Sequence, residues 1–231
     1  MGNRVTLYNL TQAIPSSYLY LDTLDQVPED IRDKLQTLKF AHLCDTNDTG
    51  IPIPWMLYFG LEDYQLASVY WNEETTYQLP MPCTSIENAR KRIEAALPIF
   101  ERLAGNPAIA HEYWQEAVDL LSRLPFQYLA MGHTEWVSLF GDEDTEAIFE
   151  AFKAAYLQGA PSDDFLFEYS GYTKGVQPYS HDEWDRLVTR FNIDDERQMN
   201  AIAMGYGHSG YSTLYVTEHA GDELKDYTIE C

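Results

Sequence analysis

Apolar residues recur along this chain with two periods, and the switches between them outline its elements. Val5-Thr6-Leu7-Tyr8-Asn9-Leu10 alternates as a half-buried strand does, and Tyr18 to Leu21 reads as another short one. Pro28-Glu29-Asp30 then opens a helix, with Ile31, Leu35 and Leu38 on one face. Asp45-Thr46-Asn47-Asp48-Thr49-Gly50 is a turn cluster, and Pro52 and Pro54 in the apolar stretch Ile51 to Phe59 favour an extended edge strand or a buried loop. Tyr64 to Trp71 and Thr75 to Leu79 form a hairpin around Asn72-Glu73-Glu74.

The period then lengthens. Thr84 with Glu87 makes a capping box, and Ile86, Ala89, Ile93, Leu97, Phe100 and Leu103 recur at helical spacing up to Gly105, with Pro98 kinking or splitting the helix. Arg90, Lys91, Arg92 and Arg102 lie on its outer face, the densest basic group in the chain. Asn106-Pro107 starts a second helix with Ile109, Tyr113, Trp114, Ala117, Val118 and Leu121 inward and Glu112, Glu116 and Asp119 outward. Tyr128 to Met131 and Trp136 to Phe140 read as strands around Gly132-His133. Asp142-Glu143-Asp144 opens a helix that ends at Gly159, and Phe165 to Tyr169 reads as a short strand. Ser180 with Glu183 forms a second capping box, Asp194 caps a helix through Met199, Ile202 and Ala203, and Thr213 to Thr217 with Tyr227 to Glu230 make a terminal hairpin across Gly221-Asp222. The elements change type without a strict strand-helix rhythm. This predicts an α+β fold, a mostly antiparallel sheet with about five to six helices, as one domain over residues 1–231 in which any subdivision falls near residue 125.

Charge changes the picture of partners. The net charge is −22, and most of it belongs to residues 111–231. Phosphate contacts need clustered Lys and Arg, so direct nucleic-acid binding is not expected. A basic protein partner fits such a field, and so does solubility alone. The apolar stretches are too short to span a bilayer, and no charged-then-apolar segment opens the chain, so a cytoplasmic protein without membrane contact is expected. Cys44, Cys83 and Cys231 lack metal-type spacing.

Motif by motif, the chemistry is thin. Gly205, Gly207 and Gly210 have the spacing of a dinucleotide fingerprint, but a helix precedes them and a strand follows, the reverse of what places a helix N-terminus on a pyrophosphate. The same loop fails as a hydrolase elbow, because Tyr211 stands two residues after Ser209 where glycine is needed. It reads as a helix stop. The turn at Asp45 to Gly50 resembles the start of a calcium loop, yet Met56 occupies the position of the bidentate Glu. Six separated histidines select no zinc site. No cofactor, metal or catalytic residue is assigned, and an enzyme that assembles dispersed Asp, His and Cys residues remains the alternative.

Tyr residues and glycines cluster in the acidic half, a composition suited to protein contact because Tyr offers amphipathic area at low entropic cost. The candidate partner-binding residues are Asp163, Asp164, Glu168, Tyr169, Tyr172, Tyr179, Asp194, Asp195, Tyr206, His208 and Tyr211.

Met1-Gly2-Asn3-Arg4-Val5-Thr6-Leu7-Tyr8, with the later Pro54-Trp55-Met56-Leu57-Tyr58-Phe59, resembles an uncharacterised bacterial family whose members begin Met-x-Asn-Arg-x-x-Leu-Tyr. More loosely, an acidic α+β chain without a chemical motif is similar to the immunity proteins of interbacterial toxin systems. That resemblance implies a cytoplasmic inhibitor that covers the active or substrate-binding surface of a cognate toxin, its carboxylates facing a basic surface.

Overall fold

The computed structural model describes residues 4–14, 29–47, 50–72, 75–132, 142–157, 159–187, 195–210, 212–220 and 223–230. Its strands are β1 (Arg4–Leu10), β2 (Lys39–Asn47), β3 (Tyr64–Asn72), β4 (Thr75–Ser85), β5 (Tyr128–Gly132), β6 (Thr213–Ala220) and β7 (Glu223–Glu230). They form one sheet in the order β3-β4-β5-β1-β2-β6-β7, and every described pairing is antiparallel. The α+β class and the antiparallel sheet read from the sequence are therefore present.

The helices are α1 (Glu29–Gln36), α2 (Ile53–Tyr58), α3 (Ile86–Ala95), α4 (Leu97–Ala104), α5 (Pro107–Arg123), α6 (Asp142–Tyr156), α7 (Asp163–Ser170), α8 (His181–Leu187) and α9 (Glu196–Ala203). Nine among the described residues exceed the five or six expected, for three local reasons. Pro98 splits the long helix at Ala96 into α3 and α4. The stretch after Gly50 is helical because Pro54 sits in the first turn, where its missing N–H has no intrahelical role, and Trp55 N–H donates to Pro52 O at 2.9 Å. Residues 165–169 are helical because Ser162 caps them, accepting from Phe165 N–H at 3.3 Å, and Gly171 ends them at φ 70°. Neither segment contains the alternation that marks a strand. Two caps also move by one residue: Ser85 rather than Thr84 caps α3, and Asp195 rather than Asp194 caps α9. The readings at 18–21, 136–140 and 221–222, together with Asp194 and Tyr211, lie outside the described residues.

β1 sits near the middle of the sheet and feeds both faces. Val5 and Leu7 join Ala41, Leu43, Leu129, Met131 and Val216 in the larger core, beneath α2 to α9; Tyr8 and Leu10 join Leu35, Leu38 and Phe40 in a smaller one beneath α1. A register shift between Leu7 and Tyr8 lets Leu43 and the adjacent Cys44 both pack against the larger core. No helix among the described residues is long and apolar enough to cross a membrane.

Asn9 is fully buried on β1, and its amide closes the chain between α5 and β5. Nδ2 donates to Phe126 O at 3.0 Å and Tyr128 O at 2.7 Å, while Oδ1 accepts from Phe126 N–H at 2.8 Å. Asn9→Ala would leave three backbone groups without these bonds, an expected loss of roughly 2 kcal/mol. Urea unfolding should show a lower midpoint at an unchanged slope; an unchanged midpoint would mean that water replaces the amide without cost.

Candidate functional site

The densest meeting of titratable side chains lies where α5, the start of α8 and the loop after α9 come together. α5 begins as its sequence predicts, with Asn106 Oδ1 accepting from Ala108 and Ile109 N–H. On this helix Glu112 and Glu116, four residues apart, face the same way. α8 begins with the predicted capping box: Glu183 N–H donates to Ser180 Oγ at 3.2 Å and Ser180 N–H to Glu183 Oε2 at 2.9 Å. That start delivers His181 between the two carboxylates. Its Nδ1 lies 2.8 Å from Glu112 Oε1 and its Nε2 lies 2.6 Å from Glu116 Oε2. Its backbone N–H also donates to Glu112 Oε1 at 2.6 Å.

The loop after α9 supplies the third side. Gly205 N–H donates to Ile202 O and Tyr206 N–H to Ala201 O, a helix stop with Gly205 at φ 99°. The sequence reading of these glycines as a stop is thus correct. The chain then turns back onto α5, where Ser209 N–H donates to Glu116 Oε1 at 3.2 Å and Arg123 Nη1 donates to Ser209 O at 2.7 Å. His208 enters the core, and its Nδ1 accepts from Trp55 Nε1 at 3.0 Å. An imidazole that accepts at Nδ1 carries its proton on Nε2 when neutral.

Burial and charge set opposite states for the two histidines. Burial pushes His208 down to about 4, against the pull of the Glu116 charge, so it is neutral at pH 7. Burial also disfavours charge on His181, but the close contact and charge of Glu116, with Glu112 and Asp185 beyond, outweigh it and raise the imidazole above its ordinary value. Burial likewise opposes ionisation of Glu116, and the His181 partnership overcomes it, so the carboxyl lies below the usual range. Each ring nitrogen of His181 thus faces a carboxylate oxygen at ion-pair distance. The arrangement holds a charge in place, which suits a clamp between α8 and α5 better than a base that must take a proton from a substrate.

Aromatic rings close over the clamp. Tyr206 packs tilted against Trp184 at 4.5 Å and His181 at 4.9 Å, and its hydroxyl donates to Asp185 Oδ1 at 3.2 Å. Tyr113 packs edge-on to His181 at 5.1 Å and donates its hydroxyl to Tyr179 O. Glu116, expected to point outward, is buried, and the residues that sequence reasoning missed are Glu112, Glu116 and His181 themselves. The i, i+4 carboxylate pair was visible in the sequence; the histidine that joins it from 65 positions away was not.

The structure separates the predicted partner-binding residues. Tyr169, Tyr172, Tyr179 and His208 are buried, which corrects the expectation of their display. Tyr169 packs on Phe165 and Phe152 with centroids at 4.7 and 4.9 Å, Tyr172 donates to Leu103 O at 2.9 Å, and Tyr179 donates to Asp195 Oδ2 at 3.1 Å beneath Arg197. The hydroxyls of Tyr172 and Tyr179 have internal partners, and Tyr169 is held by ring packing, which is why these aromatic residues turn inward. Asp163 is joined to Arg102 by two bonds of 2.9 and 2.6 Å, and Asp195 caps α9. Asp164 and Glu168 are exposed and form no ion pair among the described residues. Tyr206 is half-buried. Among the described residues, an aromatic that does face solvent is Tyr215 on β6, 69% exposed.

No family model, curated protein or solved structure matches this chain. Cys83, one dispersed candidate for a nucleophile, is pushed up to about 12 by burial and by the Asp63 charge, so it stays protonated at neutral pH.

Proposed function

We propose that this chain is an acidic, cytoplasmic protein-binding protein of the immunity type, which neutralises a cognate bacterial toxin by covering its active or substrate-binding surface. The observation that carries this reading is the set of exposed carboxylates on two consecutive helices: Asp164 and Glu168, four apart on α7, and Asp182 and Asp185, three apart on α8. Within residues 163–196 there are nine Asp and Glu against three Lys and Arg, so these groups act in a field that internal cations do not cancel. A basic surface of a partner would be drawn to it quickly and in a preferred orientation. The His181 clamp supports the reading indirectly, since it fixes α8, and with it Asp182 and Asp185, against the body of the protein before any partner arrives.

The Asp164→Lys and Glu168→Lys double variant tests this at the cost of one first-turn acid of α7, because neither side chain forms an internal ion pair among the described residues. Association with the polypeptide encoded beside this gene should slow by about tenfold or more at low salt, with little change in dissociation. Stopped-flow mixing reads both rates, and an unaltered association rate removes these helices from the docking face.

A further inference from the structure

One cavity stands apart from the clamp. It measures about 330 Å³ and lies between the segment after α2, the junction of α3 with α4 and the end of α6. Leu57, Phe59, Leu61, Ala96, Ile99 and Pro161 give it apolar walls, and Arg92, Glu62 and Gly60 form its polar end. Its volume is at the lower end of the range for small-molecule sites, roughly 300 to 1,000 Å³.

Arg92 is held at this end by one half of its guanidinium. Nη1 donates to Tyr58 O at 3.1 Å and Thr84 Oγ1 at 3.2 Å and lies 2.7 Å from Asp63 Oδ2, all on the protein side. The other half, Nη2, meets Glu62, whose side chain is 71% exposed. A fixed guanidinium edge closed by a solvent-exposed carboxylate is a site that another carboxylate can enter, because Glu62 returns to water at little cost. Gly60 adds an independent observation. Its backbone, at φ −124° and ψ 174°, is one that any residue adopts. A Cβ there would lie 3.0 Å from Arg92 Nε and Nη2 and 2.8 Å from Glu62 Oε2. The missing side chain therefore leaves room for a carboxylate beside the guanidinium edge, the place Glu62 takes, where backbone geometry alone would not require glycine.

We propose that this cavity binds a small monocarboxylate with an apolar tail, the tail between Leu57, Phe59 and Ile99 and the carboxylate on Arg92 in place of Glu62. Asp63 stays on Nη1, so the exchange of one carboxylate for another leaves the charge balance of Arg92 as it was.

Isothermal titration of the full chain with sodium decanoate, below its micelle concentration, and with 1-decanol tests the assignment. Decanoate should bind at one site, and decanol about tenfold more weakly, the scale of a charge-assisted hydrogen bond. Glu62→Ala removes the competing carboxylate at an exposed position and should tighten decanoate binding roughly fivefold. Ala95→Trp, at an exposed position on the lip of the cavity, should abolish it. Equal binding of acid and alcohol, no gain from Glu62→Ala, or binding that survives Ala95→Trp would each overturn the proposal.

Discussion

Gly50→Ala should destabilise this protein by roughly 3 to 5 kcal/mol, because the added methyl group meets both an unfavourable backbone conformation and a neighbouring helix. Gly50 has φ 90°, which costs an L residue about 1 to 2 kcal/mol. Its missing side chain also lets the backbone touch α7: a Cβ there would lie 2.6 Å from Tyr169 O and 2.9 Å from Ser170 C. The neighbouring Ile51 N–H donates to the same Tyr169 O at 2.8 Å, so the strand-to-helix passage before α2 cannot retreat without losing that bond. Gly105 provides the control, since it has φ 66° with nothing among the described residues within 4 Å of its added Cβ. Gly105→Ala should cost only the conformational part. At about 2 to 4 °C per kcal/mol, the melting temperature should fall by about 6 to 20 °C for Gly50→Ala and by a few degrees for Gly105→Ala. Equal losses would show that the close approach to α7 contributes nothing.

His181→Gln should cost about 2 to 3 kcal/mol near pH 6, and the cost should depend on pH in a defined way. Removing the imidazolium leaves the buried Glu116 carboxylate without its ion-pair partner, a loss that reaches 3 to 5 kcal/mol for wholly buried pairs. The estimate is smaller here because the His181 side chain is 31% exposed and water screens it. The pKa of His181 is raised in the folded state, so its stabilisation is complete below the unfolded value of about 6.5 and is lost as pH rises through the higher folded value. The pKa of Glu116 is lowered, so its contribution is complete above about 4.3 and is lost as pH falls through the lower folded value. The difference between wild type and variant should therefore be greatest between about pH 4.3 and pH 6.5 and shrink on both sides. Urea unfolding of both proteins across this range measures it, and a difference constant with pH would mean that His181 contributes shape rather than charge.

These two positions also mark where the sequence was legible and where it was not. Signals that act within one turn of chain were readable: the Asn106 cap, the Ser180 and Glu183 box, the split at Pro98 and the helix stop at Gly205 all rest on neighbours a few residues apart. The alternation in β1 was readable because one face of a strand repeats every second residue. The segments that were misread, Ile53–Tyr58 and Phe165–Tyr169, are short and apolar on more than one side, so periodicity could not decide between helix and strand. What lay beyond reach was convergence. Trp55 meets His208 across 153 positions, and Glu116 meets His181 across 65, and nothing local to either residue encodes its partner. The same limit explains the tyrosines. Composition placed Tyr169, Tyr172 and Tyr179 in an acidic, glycine-rich region, but only the packing of α7 against α2 and the loop before α8 against α5 turned them inward.

The proposed docking face now rests on the exposed carboxylates of α7 and α8 rather than on aromatic loops, which makes its binding electrostatic in origin. The most direct test is the dissociation constant between this protein and the polypeptide encoded beside its gene, measured at low and at high sodium chloride. The account predicts a tight one-to-one complex that weakens steeply with salt, mainly through slower association. A complex of the same affinity at both salt concentrations, or no complex at either, would contradict it.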